Sequence, residues 1–220
     1  YGNLNFHDLL NEMNEHNFHT TIAFVPKHFN DDFDTSVVNI FKKYPDRYSI
    51  AQHGNNHDGY EFICYTQEQL DTLNEIYGNI WINQEPRSYK EQECDIVEGR
   101  TRLSYMYSKT GIYYGRIMIF PYGISLSPTL EMLKKYNFNA TINGQYQPYL
   151  LIAGDCNTTY DFYMRPANMG FGNFAVCGRR HPYFSNNPNS PNYLRFKLNL
   201  LINKPILAYT REGLFLYGQD

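Results

Sequence analysis

The sequence predicts an α/β domain, with parallel strands covered by helices and arranged as a (β/α) barrel that is distorted and either complete or incomplete. Three observations predict it. Apolar runs such as Thr20-Thr21-Ile22-Ala23-Phe24-Val25 and Ile117-Met118-Ile119-Phe120 lack the strict period-two alternation of a half-exposed antiparallel strand. Stretches with apolar residues at helical spacing separate those runs. Neither G-x-G-x-x-G nor G-x-x-x-x-G-K occurs, so the open doubly wound sheet, the rival architecture, has no nucleotide signature to support it.

Taken in order, Phe6, Leu9, Leu10 and Met13 fall on one helical face, and 20–25 reads as a buried strand stopped by Pro26. Val37, Val38, Ile40 and Phe41 mark a helix ending near Pro45, and the strand over 48–51 runs straight into Gln52-His53. Leu70, Leu73, Ile76 and Tyr77 predict a helix over 67–82, and Ile96, Val97, Leu103 and Met106 one over 91–107. A strand over 116–120 is closed by Pro121-Tyr122-Gly123, followed by a helix carrying Leu130, Met132 and Leu133 and a strand over 138–142. The C-terminal third adds strands over 150–153, 174–177 and 205–209 and a helix over 191–202.

The chain has 220 residues, 42% of them hydrophobic and 19% charged, with no linker, repeat or low-complexity tract. A chain of that length buries roughly 70% of its unfolded surface, so 1–220 is read as a single domain needing no covalent staple. A net charge of −3 with scattered Lys and Arg leaves no electrostatic footprint for nucleic acid. No apolar run approaches the ~18 residues of a membrane-spanning helix. The start, Tyr1-Gly2-Asn3-Leu4, has no Met and no signal-like apolar stretch, which predicts a processed or truncated product with a segment missing upstream.

Cys64, Cys94, Cys156 and Cys177 are too far apart for a zinc ribbon or a thioredoxin-type pair, and they suit either free core thiols or one or two disulfides. The 21 Tyr suit a sugar-binding surface, because the ring stacks on C–H faces while the hydroxyl bonds to ligand hydroxyls. AT-rich codon usage produces the same excess.

In parallel α/β folds ligands meet the residues that follow each strand. There Gln52-His53-Gly54-Asn55-Asn56-His57-Asp58-Gly59 stands out. Its Gly and Asn content predicts a loop rather than a helix, and a tight loop can bring His53 and His57 onto one cation. Neutral imidazoles suit zinc first, with cobalt, nickel or iron also compatible, and a carboxylate commonly completes such a site. The competing reading is two solvent-facing histidines in a turn.

This loop resembles the metal-binding His-Ser/Thr-x-x-His motif of the polysaccharide deacetylases (the NodB-homology domain, carbohydrate esterase family four), with Gly54 at the Ser/Thr position. Phe120-Pro121-Tyr122-Gly123 is similar to that family's Pro-Tyr-Gly motif, and the segments around His19 to Val25, Glu91 to Ile96 and Thr129 to Thr141 are similar to its neighbouring strands and helices. Order and spacing agree over roughly two thirds of the chain, residues 4–145.

The resemblance implies a metal-dependent hydrolase that removes N- or O-acetyl groups from a polysaccharide or oligosaccharide, in an extracytoplasmic bacterial setting. It assigns His53 and His57 as metal ligands, the Tyr122 backbone N–H as oxyanion donor, and Pro121 and the Tyr122 ring as substrate contacts. Lewis-acid polarisation with a lowered water pKa is sound chemistry for amide hydrolysis at neutral pH.

Departures from the pattern are equally specific. The family's Asp pair, which supplies base and metal carboxylate, belongs to a first strand expected upstream of Tyr1; Asp8, Asp31, Asp32 and Asp34 do not occupy its place. Ile119 stands where the family has Arg, with Arg116 out of register. The late Leu-x-His has no counterpart, so Thr210 or Arg211 takes that region as a substrate contact, and His181 replaces the general acid. Asp155 and Asp161 fall where the family places an Asp that orients its histidine. Two alternatives follow: a catalytically degenerate domain that binds glycan without turnover, and a hydrolase of another amide or ester on the same barrel.

Overall fold

The computed structural model describes residues 6–58, 61–62, 71, 75, 87–121, 127–143, 175–178, 194, 197–198 and 201–202. Four helices and five strands are described: α1 (Phe6–Glu15), β1 (Thr20–Phe24), α2 (Thr35–Lys43), β2 (Tyr48–Gln52), α3 (Tyr89–Thr110), β3 (Tyr114–Ile119), α4 (Ser127–Lys135), β4 (Ala140–Asn143) and β5 (Ala175–Gly178). A single 3₁₀ turn, Pro26–His28, follows β1.

Each boundary has a local cause. Asp34 caps α2 through the Ser36 N–H, and Ser88 and Glu91 form a reciprocal capping box at the start of α3. Gly111, at φ 70°, ends α3 in the left-handed conformation. Those caps extend α3 beyond the expected 91–107. At the other end of the α/β unit, Asn137 turns left-handed at φ 59°, and the Phe138 N–H returns to the Leu133 carbonyl. The strand expected at 138 therefore starts at Ala140, while β3 begins earlier than expected, at Tyr114.

The strands pair in the order β1-β2-β3-β4-β5, and every pair is parallel. Register runs from Thr20 opposite Tyr48 to Phe24 opposite Gln52, then shifts between Ile50 opposite Tyr114 and Gln52 opposite Met118. Sequential order contains no reversal point, so among the described strands the doubly wound arrangement is absent. Right-handed crossovers in such an order place successive helices on one face.

The packing agrees. Tyr48 and Ile50 of β2 bury against Val38 and Phe41 of α2, Leu103 and Met106 of α3, and Leu10 of α1. Met118 and Phe120 bury against Ile96 of α3 and Leu130 and Leu133 of α4. The Thr129 hydroxyl donates to the buried Gln92 side-chain oxygen at 2.7 Å, joining α4 to α3.

β1 corrects one expectation. It alternates, with Thr21 and Ala23 exposed while Ile22 and Phe24 pack toward the helices, because β2 is its only described neighbour and no described element covers its other face. Among the described residues no pairing joins β5 to β1, so the strands establish a parallel α/β sheet. Asp71 and Glu75 are helical, as are Leu194, Lys197, Leu198 and Leu201; the rest of the helices expected over 67–82 and 191–202 lies outside the described residues, as do the strands expected over 150–153 and 205–209. Cys94 is an exposed free thiol on α3, and Cys64 and Cys156 lie outside the described residues. No helix among the described residues is long and apolar enough to cross a membrane.

Candidate functional site

β2 ends at Gln52, and the chain enters the loop 53–58 at the C-terminal edge of the sheet. The His53 N–H continues the ladder to the Phe24 carbonyl at 2.8 Å, which fixes the backbone. Its ring is fixed separately, by a 2.7 Å hydrogen bond between Nδ1 and the Ile119 carbonyl on β3. A carbonyl only accepts, so Nδ1 carries the proton and Nε2 is the lone-pair nitrogen of the neutral ring. This is the outer hydrogen bond that metal-ligating histidines typically make.

The His57 ring lies 4.8 Å from that of His53, centre to centre, at 60°. Two imidazoles on one tetrahedral cation, each with a bond of ~2.1 Å, place their ring centres about 5 Å apart. The two rings stand in edge-to-face contact at a spacing that both an aromatic pair and two imidazoles on one cation share. Among the described residues no group of three or more His, Cys, Asp or Glu side chains is placed to hold a metal ion.

Gly54 and His57 both adopt left-handed backbone, at φ 63° and 52°. Gly54 is dictated by space as well. A Cβ there would stand 1.9 Å from Glu61 Oε2 and 2.8 Å from Pro121 Cγ. The Ser or Thr of the deacetylase motif cannot occupy this position unless Glu61 moves.

Glu61 is fully buried and accepts from the loop's own N–H groups: Asn55 at 2.9 Å through Oε2, and Asn56 at 2.6 Å and Asp58 at 3.3 Å through Oε1. Burial pushes its carboxyl above the usual range, against the pull of those three N–H groups, and nearby Asp95 adds to the rise.

The far side of the loop is tied to α3. The Asn55 side chain, fully buried, donates to Asp95 Oδ1 at 3.1 Å and Glu98 Oε2 at 2.9 Å, and accepts from Arg102 at 3.1 Å. Arg102 also donates to Asn56 Oδ1 at 3.3 Å and to Glu98 at 2.6 Å. Arg87 pairs with Asp95 at 2.9 Å and reaches the Asp58 carbonyl at 3.3 Å. Gly99 lets α3 approach the strand end, since a Cβ there would lie 2.2 Å from Gln52 Nε2 and 3.2 Å from the Gly54 carbonyl oxygen.

The structure thus brings together three of the expected site residues, His53, His57 and Pro121, the last buried just beyond β3. Tyr122, His181 and Arg211 lie outside the described residues, as do Asp155 and Asp161. Ile119 is buried, and the position contributes its carbonyl to His53. Sequence reasoning missed Glu61, Asn55 and the helix side chains behind them. Asp95, Glu98 and Arg102 recur at helical spacing beside the apolar stripe of Ile96, Leu103 and Met106, a polar stripe that could have marked α3 as facing a polar loop. Glu61 had no comparable signal. No protein-family model matches the chain, and a search of curated proteins finds no match.

Proposed function

We propose that the chain is a polysaccharide deacetylase-like hydrolase, in which His53 and His57 hold a divalent cation, zinc first, and acetyl groups are removed from a saccharide. The observation that carries this reading is the histidine pair itself: two rings 4.8 Å apart at the C-terminal edge of a parallel sheet, one anchored through Nδ1 to the Ile119 carbonyl. The sequential strand order supports a (β/α) barrel as the finer architecture. An extracytoplasmic setting accompanies that reading.

When bound, the cation would polarise the acyl carbonyl and lower the pKa of an attacking water. The chain's own contribution is orientation. His53 presents Nε2 because Nδ1 is spent on Ile119, and Pro121 closes against Gly54 at the end of β3. Tyr122, next in sequence, would offer its backbone N–H to the oxyanion and its ring to the sugar, with Arg211 as a further substrate contact. His181 would donate the proton to the leaving group.

One observation favours the reading as a glycan-binding domain without turnover: the position of the family's Arg is the buried, apolar Ile119. The test is a crystal soaked in Zn²⁺ or Co²⁺, read by anomalous signal between His53 and His57, beside acetate release from acetylated chito-oligosaccharides and acetylated xylan. Metal with acetate release supports the hydrolase, and saccharide binding without acetate supports the binding domain. A protein that takes no metal at this pair overturns the proposal.

A further inference from the structure

We infer that Glu61 is the positioning residue of the histidine loop: its carboxylate pins His57 in a left-handed conformation and fills, from outside the loop, the space that a side chain at position 54 would take. A non-glycine residue at φ 52° is uncommon and persists where its surroundings hold it there. Here the restraint is visible. Glu61 Oε1 accepts the N–H of Asn56 at 2.6 Å and of Asp58 at 3.3 Å, the residues on either side of His57, so one oxygen brackets that residue. Oε2 takes the Asn55 N–H at 2.9 Å and lies where a Cβ at position 54 would be, 1.9 Å from that point. Consecutive N–H groups turned to one side by left-handed residues form a concavity for an anion, and Glu61 fills it from within the chain.

The bonds Asn55 makes to α3 restrain the opposite side of the loop, and Arg102 and Arg87 reach the flanking residues only at the Asn56 side-chain oxygen and the Asp58 carbonyl, so the backbone N–H groups on either side of His57 are held by Glu61. Without the carboxylate, position 57 relaxes toward negative φ and carries its imidazole away from His53. Loss of that geometry weakens a cation site without removing a ligand. The consequence for metal rests on the proposed function; the assignment to the loop does not.

Glu61→Gln tests it, because the amide presents a donor where the loop presents N–H donors. Two measurements are made on the full chain. Amide hydrogen exchange is followed at Asn55, Asn56 and Asp58, with Ile96 and Met106 of α3 as internal controls for global stability, and Co²⁺ is titrated into the metal-free protein. The expected result is exchange about tenfold faster or more at the three loop amides alone. Co²⁺ binding should weaken about 10- to 100-fold. Glu61→Asp, which keeps the charge on a shorter arm, should give intermediate values and serves if the glutamine variant does not fold. Unchanged exchange at the three amides overturns the inference, even if Co²⁺ binds. Faster exchange in a protein whose wild type takes no Co²⁺ upholds the role of Glu61 in the loop and overturns the metal reading instead.

Discussion

Gly54 shows how one residue can be dictated twice. Its backbone sits at φ 63°, and the space its side chain would enter already holds Glu61 Oε2 and Pro121 Cγ. Gly54→Ala should therefore lose more than a helix-surface substitution would. The left-handed strain alone contributes about 1–3 kcal/mol, and displacement of the Glu61 carboxylate adds to it. Urea unfolding of the variant beside the wild type measures this, and a loss below about 0.5 kcal/mol would contradict the geometry. Gly54 and His57 were legible in the sequence as loop residues; their left-handed backbone was not, since the atoms that meet the loop there, from Glu61 and Pro121, lie outside it.

At the scale of elements, α3 carries the site's outer wall. It offers Asp95, Glu98 and Arg102 to the loop, and its first turn is held by the Ser88 and Glu91 capping box. Ser88→Ala should lower stability by about 1 kcal/mol, read as a fall in thermal midpoint. Hydrogen bonds from Ser88 hold the Glu91 carboxyl below its ordinary range. Because the folded value is the lower one, the cap's share of stability is present above the ordinary carboxylate range and lost as pH falls through the depressed value. The difference between wild type and Ser88→Ala should consequently shrink in acid. A difference that held constant would mean that the box does not form in solution. Spacing in the sequence revealed α3 and its buried stripe of Ile96, Leu103 and Met106, but Val97, expected on the same face, is exposed, one residue round the helix from Ile96; the helix's added residues came with caps that periodicity does not count.

At the scale of the molecule, the five described strands, parallel and in sequential order, place the histidine loop and Pro121 at the same edge, from neighbouring strands β2 and β3. A cation bound only by the folded chain stabilises it by mass action, by about 2.7 kcal/mol when free metal is a hundredfold above Kd. On the proposed function, Zn²⁺ should thus raise the thermal midpoint of the wild type, a chelator should reverse the rise, and a His53→Ala, His57→Ala double variant should show none. A rise of equal size in the double variant would place the metal elsewhere.

Much of this was readable along the chain, for a physical reason. Helices and strands follow from side-chain period and from Gly, Pro and capping residues within a few positions, so α1, α2, β2 and β4 lie within a few residues of where pattern places them. The histidine loop was readable because Gly and Asn break regular structure directly after a strand. What makes the loop a candidate site comes from contacts between distant residues. His53 is oriented by a carbonyl 66 positions away, and Asn55 is held by carboxylates 40 and 43 positions away. Periodicity reports which face of an element is apolar. It holds no record of which polar atom on a neighbouring element will meet a given donor, because that pairing exists only once strand register and helix packing have brought the two together.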